Sequence, residues 1–458
     1  MEDTNESTIN CNDVLLTVII CAGCSNDSLT NNDSPPDIAS ADSAAMSTLT
    51  GELKIADCFD SRVNGASVMA AGFMKLHPNV SIIVDSANIN YEEAADFDPL
   101  TAFRQRIGVQ LMSGEKAPDI VAQAYAIDIG KAASSGMIID LYPYWNNDPD
   151  IVKEDYFINV LKANEYGNGL YAIPTMFTVS IGNLNKRVTE PLGIDIDALD
   201  SISVTELLDI YLEALDKGII SDDFWFMYGY SGKNSITGFI QRDYLDNKSQ
   251  KAYFNTPEFI EYLEKSNRIP TSRSVLNSNY ESTSIKNFEE KNNAFFMQGS
   301  TSFDNHMLFD SASSLTSGGI LLTKPSGRAH AHAYQNYAIS SSCKNPELAW
   351  EFIKYCIIES DEAPFSINAG EMNGDRWFSI NPLNRNNFRK HMQACMKDSF
   401  TEETYQQYLT WAEMVTELDT EMNMEQLEIL ALYYDAGLIT ADECARRMQE
   451  RADIYFME

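Results

Sequence analysis

Apolar and polar positions recur along most of this chain with the periods of strands and helices. Residues Gly51–Asp57 (GELKIAD) alternate as a half-buried strand does, and 58–64 read as the loop at its C-terminal end. Over Ala66–Leu76 the positions Val68, Met69, Gly72, Phe73 and Leu76 fall at helical spacing, and 80–84 form the next strand-like run. The pattern then predicts an amphipathic helix over 103–112, a turn closed at Pro118 and a short buried strand from Ile120 to Ala122. From 207 to 265 the period is mainly helical, interrupted by 223–232 (DFWFMYGYSG). The best-specified unit lies at 337–357. There YAIS (337–340) suits a strand and 341–344 a turn. Asn345 sits where its side-chain oxygen can accept an orphan helix N–H, and Pro346 follows at a position where a missing N–H costs nothing. Glu347 adds negative charge at the positive helix end, and Leu348, Ala349, Phe352, Ile353, Cys356 and Ile357 form one apolar stripe. Beyond about 369–376 the remainder reads as helical, ending in a helix over 441–455. Strand and helix alternate, which predicts an α/β protein.

Composition narrows this picture. A chain of 458 residues with 44% hydrophobic and 22% charged positions has the make-up of a globular protein of two to three domains. Its formal charge of −34 argues against nucleic acid as a partner, because phosphate binding needs a basic patch. Eight cysteines are scattered, and Cys21–Cys24, the one CxxC spacing, falls in an apolar run rather than in a zinc-ribbon context. The five after Cys24 are odd in number and irregular in spacing, so free buried thiols are expected.

The apolar run 14–24 (VLLTVIICAGC) resembles a bacterial lipobox, which implies that residues 1–24 are a lipoprotein signal and that Cys24 carries the lipid. Two features depart from that pattern. Cys21 stands where Leu is usual, and residues 1–13 carry Glu2, Asp3, Glu6 and Asp13 but neither Lys nor Arg. The alternative is a disordered leader with a chance apolar run. Residues 25–49 are dominated by Ser, Asn, Asp and Pro, which cannot bury a core and suit a flexible tether. No later stretch has the roughly 18 consecutive apolar residues of a membrane-spanning helix.

Catalytic motifs were sought in vain: GxSxG, HExxH, a Walker loop and GxGxxG are all absent. His330 and His332 fall on one face of a possible strand without further ligands at useful spacing, and Asp195, Asp197 and Asp200 lack the glycine and distal Glu of a calcium loop. A protein without enzyme activity, metal or cofactor is expected. Carboxylate pairs able to hydrolyse glycosides are a matter of three-dimensional separation and stay open as an alternative. Binding chemistry is better represented. Trp225, Phe226, Tyr228 and Tyr230 alternate in one Gly-containing stretch, and Trp377 sits in another (GDRWF, 374–378), as aromatic platforms for sugar faces do. The competing reading buries Phe226, Tyr228 and Tyr230 as one strand face.

Several stretches, in order, resemble the family 1 extracellular solute-binding proteins, the capture components of bacterial ABC sugar importers, of which maltose-binding protein is the best-known member. They are FMKLHPNVSI (73–82), GEKAPDIV (114–121), SGMIIDLYPY (135–144), GNGLYAIP (167–174), AFFMQGSTSF (294–303) and AYQNYAISSSCKNPELAWEFIKYCI (333–357). Leu184 replaces the Tyr of the usual YNK, Val204 follows Ser203 without the Trp of the usual TW-EL, and Thr301 stands where Trp is frequent. The resemblance covers roughly 50–458. It implies a two-lobed, periplasmic-binding-protein-like α/β fold, each lobe a sheet flanked by helices, with crossing segments as a hinge. The implied first lobe is 50–173 with 334–368, and the second is 174–333 with 369–458. It implies a monomeric lipoprotein on the outer face of the bacterial cell membrane that hands a mono- or oligosaccharide to ABC permease subunits after domain closure. By position, the implied ligand contacts are Asp60, Asn88, Gln123, Tyr125, Met176, Phe177, Phe303, Tyr334 and Asn336, joined by Trp225, Tyr228, Arg376 and Trp377. Asp119 is expected to brace its turn. The rival readings are a receptor for a non-sugar solute such as a polyamine, a surface glycoside-processing enzyme and an adhesive surface protein.

Overall fold

The strand-like runs join, among the described residues, in one mixed sheet of eleven strands. These are β1 (Gly51–Asp57), β2 (Val80–Ser86), β3 (Ile120–Ala122), β4 (Ile173–Leu184), β5 (Ser201–Ser203), β6 (Trp225–Met227), β7 (Ala294–Ser300), β8 (Ile320–Thr323), β9 (Ala329–Ile339), β10 (Asn381–Pro382) and β11 (Val415–Asp419). The computed structural model describes residues 49–58, 65–86, 98–122, 127–228, 242–246, 248–269, 292–300, 315–358, 381–396, 400–419 and 425–457. Residues 47–458 form one compact unit. Cys24 and the expected signal lie outside the described residues. The principal helices are α1 (Ala66–Leu76), α2 (Asp98–Ser113), α3 (Ile129–Ser134), α4 (Ile158–Ala163), α5 (Val204–Asp216), α6 (Pro257–Ser266), α7 (Pro346–Ile357), α8 (Arg385–Met396), α9 (Glu402–Glu413), α10 (Glu425–Asp435) and α11 (Ala441–Met457). None of the described helices is long and apolar enough to cross a membrane.

The main path of the sheet is β2-β1-β3-β9-β4-β7-β6; β8 bridges β4 and β5, β10 lies on β4, and β11 lies on β9. β1 is parallel to β2 and to β3, and α1 and α2 supply the crossovers that parallel neighbours require. Strands β4 and β9 organise the rest. They run antiparallel over much of their length, from Ala331 opposite Val179 to Tyr337 opposite Ile173. β3 lies on one end of β9, with Ala122 opposite Tyr337, and β11 lies on the other end of the same strand, with Asp419 opposite His332. Since β3 is antiparallel and β11 parallel to β9, their C-terminal ends point towards each other across 333–336. β7 is antiparallel to β4 and its C-terminal end points the same way, towards Met176 and Phe177, where β10 joins β4. In α/β sheets ligands gather at the C-terminal ends of strands. Here those ends converge on the middle of the two long strands.

The unit at 333–357 folds as its sequence predicts at the helix, where the Asn345 side chain accepts from the Leu348 N–H at 3.2 Å. Its strand is longer than predicted. YAIS is only the end of β9, and the polar AHAHAYQN before it is strand too, because β4 and β11 flank it and Ala329, Ala331 and Ala333 supply a buried alternating face. The expectation of an all-helical remainder is corrected by β11, whose ladder partner, β9, is distant in sequence. In α1 the predicted stripe is rotated: Val68 and Leu76 are exposed, while Ala66, Met69, Ala70 and Phe73 are buried. Asp119 braces its turn, accepting from the Lys54 N–H at 2.8 Å.

Two large apolar clusters lie against the sheet. One holds Leu53, Phe73, Phe157, Phe352 and Trp411, so that α9 packs with elements of the chain's first third. The other holds Leu207, Tyr211, Phe259, Phe295 and Met448, joining α5, α6 and α11.

Candidate functional site

A cavity of about 620 Å³ opens beside the convergence of strand ends. One wall comes from the segment that follows β3, Asp128 to Lys131, and from the turn 163–167 that precedes β4. The facing wall comes from the start of β9 at Arg328, from Thr416, Glu417 and Leu418 of β11, from the hairpin turn 248–250 and from the end of α11. The local reasons for this geometry can be read residue by residue. Asp128 caps α3, one carboxylate oxygen accepting from the Lys131 N–H at 2.9 Å. Its other oxygen accepts a hydrogen bond from the Tyr455 hydroxyl, and the Lys131 ammonium lies 4.0 Å from the centre of the Tyr455 ring. Tyr166 lies across the first turn of α3. A Cβ on Gly130 would stand 2.9 Å from its Cε2, so the glycine makes room for the ring.

Several charges around the cavity are held in ion pairs. Lys248 meets Glu165 at 2.6 Å, and Glu165 also accepts from the Tyr142 hydroxyl. Burial pushes the Glu165 carboxyl up, but these two partners outweigh it and hold it below its ordinary range. Burial, and the Glu165 carboxylate after it, push the Tyr142 hydroxyl well above its ordinary value, so it remains a donor. Arg328 meets Glu417 at 2.7 Å, and the buried Lys324 meets the same carboxylate. Asn164 donates to the Asn336 side-chain oxygen at 2.9 Å and to the Ala172 carbonyl at 2.7 Å. Two tyrosine rings, Tyr166 and Tyr455, thus stand among carboxylates, amides and ammonium groups. Among the described residues, neither histidine nor cysteine lines the cavity. The arrangement offers ring faces and hydrogen-bonding groups to a polar guest.

Of the residues singled out in the sequence, Asp60, Asn88, Gln123, Tyr125, Phe303, Arg376 and Trp377 lie outside the described residues. Met176 and Phe177 are buried in β4, Phe177 with its ring 5.4 Å from that of Phe157. Tyr228 is buried and Trp225 half-buried, both against the cluster that also holds Phe157. Tyr334 is opposite Met176 in the ladder, and Asn336 is buried and held by Asn164. Met176, Phe177, Trp225, Tyr228 and Asn336 are not among the described residues that line the cavity; Asn336 reaches it through Asn164. Reasoning from the sequence missed Asp128, Tyr166, Lys248 and Tyr455. Asp128 carries a signal, an Asp at the start of the helical run IGKAAS, whereas the Tyr455 contact spans 327 residues and has none.

An α/β protein whose strand ends converge on two long shared strands, beside a polar cavity, has the architecture of a two-lobed binding protein. Residues 61–357 match the family described as bacterial extracellular solute-binding protein, and the chain belongs to that family. Among curated protein sequences none matches it. Among solved structures it is similar to the sugar-binding protein MalE from the phytopathogen Xanthomonas citri, at 14% identity and a TM-score of 0.58, covering 89% of this chain and 98% of that one. It is also similar to an ABC substrate-binding protein from Listeria monocytogenes in complex with cycloalternan, at 13% identity and a TM-score of 0.56, over 88% and 98% of the two chains. A third is an ABC transporter solute-binding protein from Thermotoga lettingae bound with alpha-D-tagatose, at 16% identity and a TM-score of 0.54, over 89% and 100%. At these identities the likeness is one of fold: the two-lobed, periplasmic-binding-protein-like α/β architecture. Solute binding outside the cell is the role for which the family is named.

Proposed function

We propose that the protein is the substrate-capturing lipoprotein of an ABC importer and binds a mono- or oligosaccharide between two lobes. The lobes are 50–173 with 334–368 and 174–333 with 369–458, the anchor is a lipid on Cys24 of a monomer, and the partners are permease subunits. The observation that carries the reading is the cavity of about 620 Å³ beside the convergence of strand ends, lined by Tyr166 and Tyr455. A ligand that touches both walls favours the arrangement in which they lie close, and so shifts the population towards closure. Asp60, Asn88, Gln123, Tyr125, Phe303, Arg376 and Trp377, which lie outside the described residues, are proposed to add polar and aromatic contacts. Sugar relatives of the fold support the ligand class. Domain closure needs no chemistry from the cavity.

The test is a thermal-shift and calorimetric screen of residues 47–458 against maltose, maltotriose, tagatose, spermidine and amino acids. A ligand at about one hundred times its Kd stabilises the native state by about 2.7 kcal/mol and raises the melting temperature accordingly. The expected outcome is a rise with one sugar class that Tyr166→Ala reduces. A rise with spermidine alone would overturn the sugar reading and keep solute capture. No rise with any compound would count against the cavity as the site.

A further inference from the structure

Four non-glycine residues have a positive φ among the described residues, and of these Gln335, at φ 49°, lies inside a regular strand. The left-handed region is disfavoured for a side chain of this kind, and such a conformation persists where the surroundings over-determine it. The register of β9 on β4 passes through this point unchanged: Tyr334 is opposite Met176 and Asn336 opposite Pro174. Gln335 therefore faces Thr175. That rung is missing from the ladder, and Pro174 beside it has no N–H to contribute. β4 is held there instead by β10's neighbour, whose Leu383 N–H donates to the Thr175 carbonyl at 3.0 Å.

Both side chains at the missing rung are buried, Gln335 at 3% and Thr175 at 1% exposure. Neither the Gln335 Oε1 nor the Thr175 Oγ1 has a hydrogen-bond partner among the described residues. Two residues to either side of them along their strands stand Ile173 and Phe177, and Ala333 and Tyr337, all four members of one apolar cluster, so the unpaired atoms carry a desolvation cost. The place of the defect matters. On one side of it β9 pairs with β3 as well as β4, and on the other with β11 as well as β4. The strained backbone and the unpaired polar atoms thus sit within the short run, 333–336, that separates the β11 ladder from the β3 ladder.

We propose that Gln335 is the pivot of lobe closure: a positioning residue whose backbone leaves the left-handed region as the halves rotate, giving its amide a partner it lacks here. This rests on the closure described above but adds where the motion is taken up and what biases it. Hinge rotations are absorbed by a few residues through changes in φ and ψ, and a residue held in a disfavoured backbone region gains free energy by leaving it.

The experiment compares Gln335→Gly and Gln335→Val in the full chain. Glycine removes the left-handed penalty and favours the arrangement seen here, whereas a β-branched valine raises it and favours the other. Small-angle scattering without ligand is expected to move the radius of gyration in opposite senses for the two variants. The Kd for maltotriose is expected to move in opposite senses as well, by about five-fold each. Should the valine variant not fold, Gln335→Asn, which tolerates the left-handed region and keeps an amide, is expected to shift both readouts in the same sense as glycine. Variants that change the melting temperature while radius and Kd stay at the wild-type values would reduce Gln335 to local strain and sink the proposal. If the wild type does not bind maltotriose, the sugar reading suffers, and the scattering comparison alone decides the pivot.

Discussion

Lys354 shows how strongly one side chain can be committed here. Its ammonium lies 3.1 Å from Asp148, 2.9 Å from Asp150 and 3.0 Å from Glu351, and the side chains of Lys354 and Asp148 are 12% and 7% exposed. Trp350 donates its indole N–H to Asp148 at 2.7 Å. Burial pushes the Asp148 carboxyl up, but Trp350, the Asp150 N–H and Lys354 together hold it below its ordinary value. Burial pushes Lys354 down, and its carboxylates outweigh that and raise it. A depressed carboxyl contributes stability that is present above its unfolded value, near 3.8, and lost as pH falls through the folded one. A raised lysine contributes stability that is full below its unfolded value, near 10.5, and lost as pH rises through the folded one. Removing one member of such a pair leaves a buried charge, so Lys354→Met is expected to lose roughly 3 kcal/mol at pH 7. Urea unfolding at several pH values checks this. The deficit should shrink below about pH 4, and a deficit constant with pH would assign the effect to packing. At this scale the sequence was partly legible. Asn345 declared itself as a cap by its neighbours, but nothing in it places Asp148 under Trp350.

Between elements, the packing of α1 on α7 turns on one position. A Cβ on Gly72 would collide with the Tyr355 hydroxyl, and Phe73 meets the rings of Phe352 and Tyr355 at 5.5 Å in edge-on geometry. Alanine is the better helix former by about 1 kcal/mol. Gly72→Ala is nevertheless expected to destabilise by about 1–2 kcal/mol, because overpacking at a helix contact outweighs propensity. Tyr355→Phe in the same chain removes the colliding oxygen and is expected to restore most of the loss in a double-mutant cycle. Additive effects would show that the helices already adjust. The apolar period announced α1 as a helix and placed its stripe one step away from the buried face, since hydropathy ranks Val68 and Leu76 above the alanines buried there. Strand β11 was invisible for a related reason: its pairing with β9 is set by residues more than eighty positions away.

Over the whole molecule the formal charge of −34 sets a condition on stability. Like charges repel in the compact state, and salt screens them over about 10 Å at 0.1 M. The melting temperature is expected to rise between 10 mM and 300 mM sodium chloride. A fall would mean that the ion pairs near the surface, such as Arg106 with Asp85 at 2.5 Å, outweigh the general repulsion. The same acidity surrounds a cavity in which several charges are held in ion pairs, so the field that a ligand meets on approach differs from the one it meets inside.

The sequence by itself determined the α/β class, the helix at Pro346–Ile357 with its cap, the succession of strand, helix and strand over β1, α1 and β2, and the family, because each is written in local periodicity or in short ordered motifs. Tertiary structure alone decided that Met176, Phe177 and Tyr228 are buried, that Tyr166 and Tyr455 face one cavity, and that Gln335 stands in a left-handed conformation opposite Thr175. The physical reason is range. Periodicity and capping are settled within a few residues, whereas a cavity wall and a strained rung arise where segments hundreds of residues apart compete for the same space.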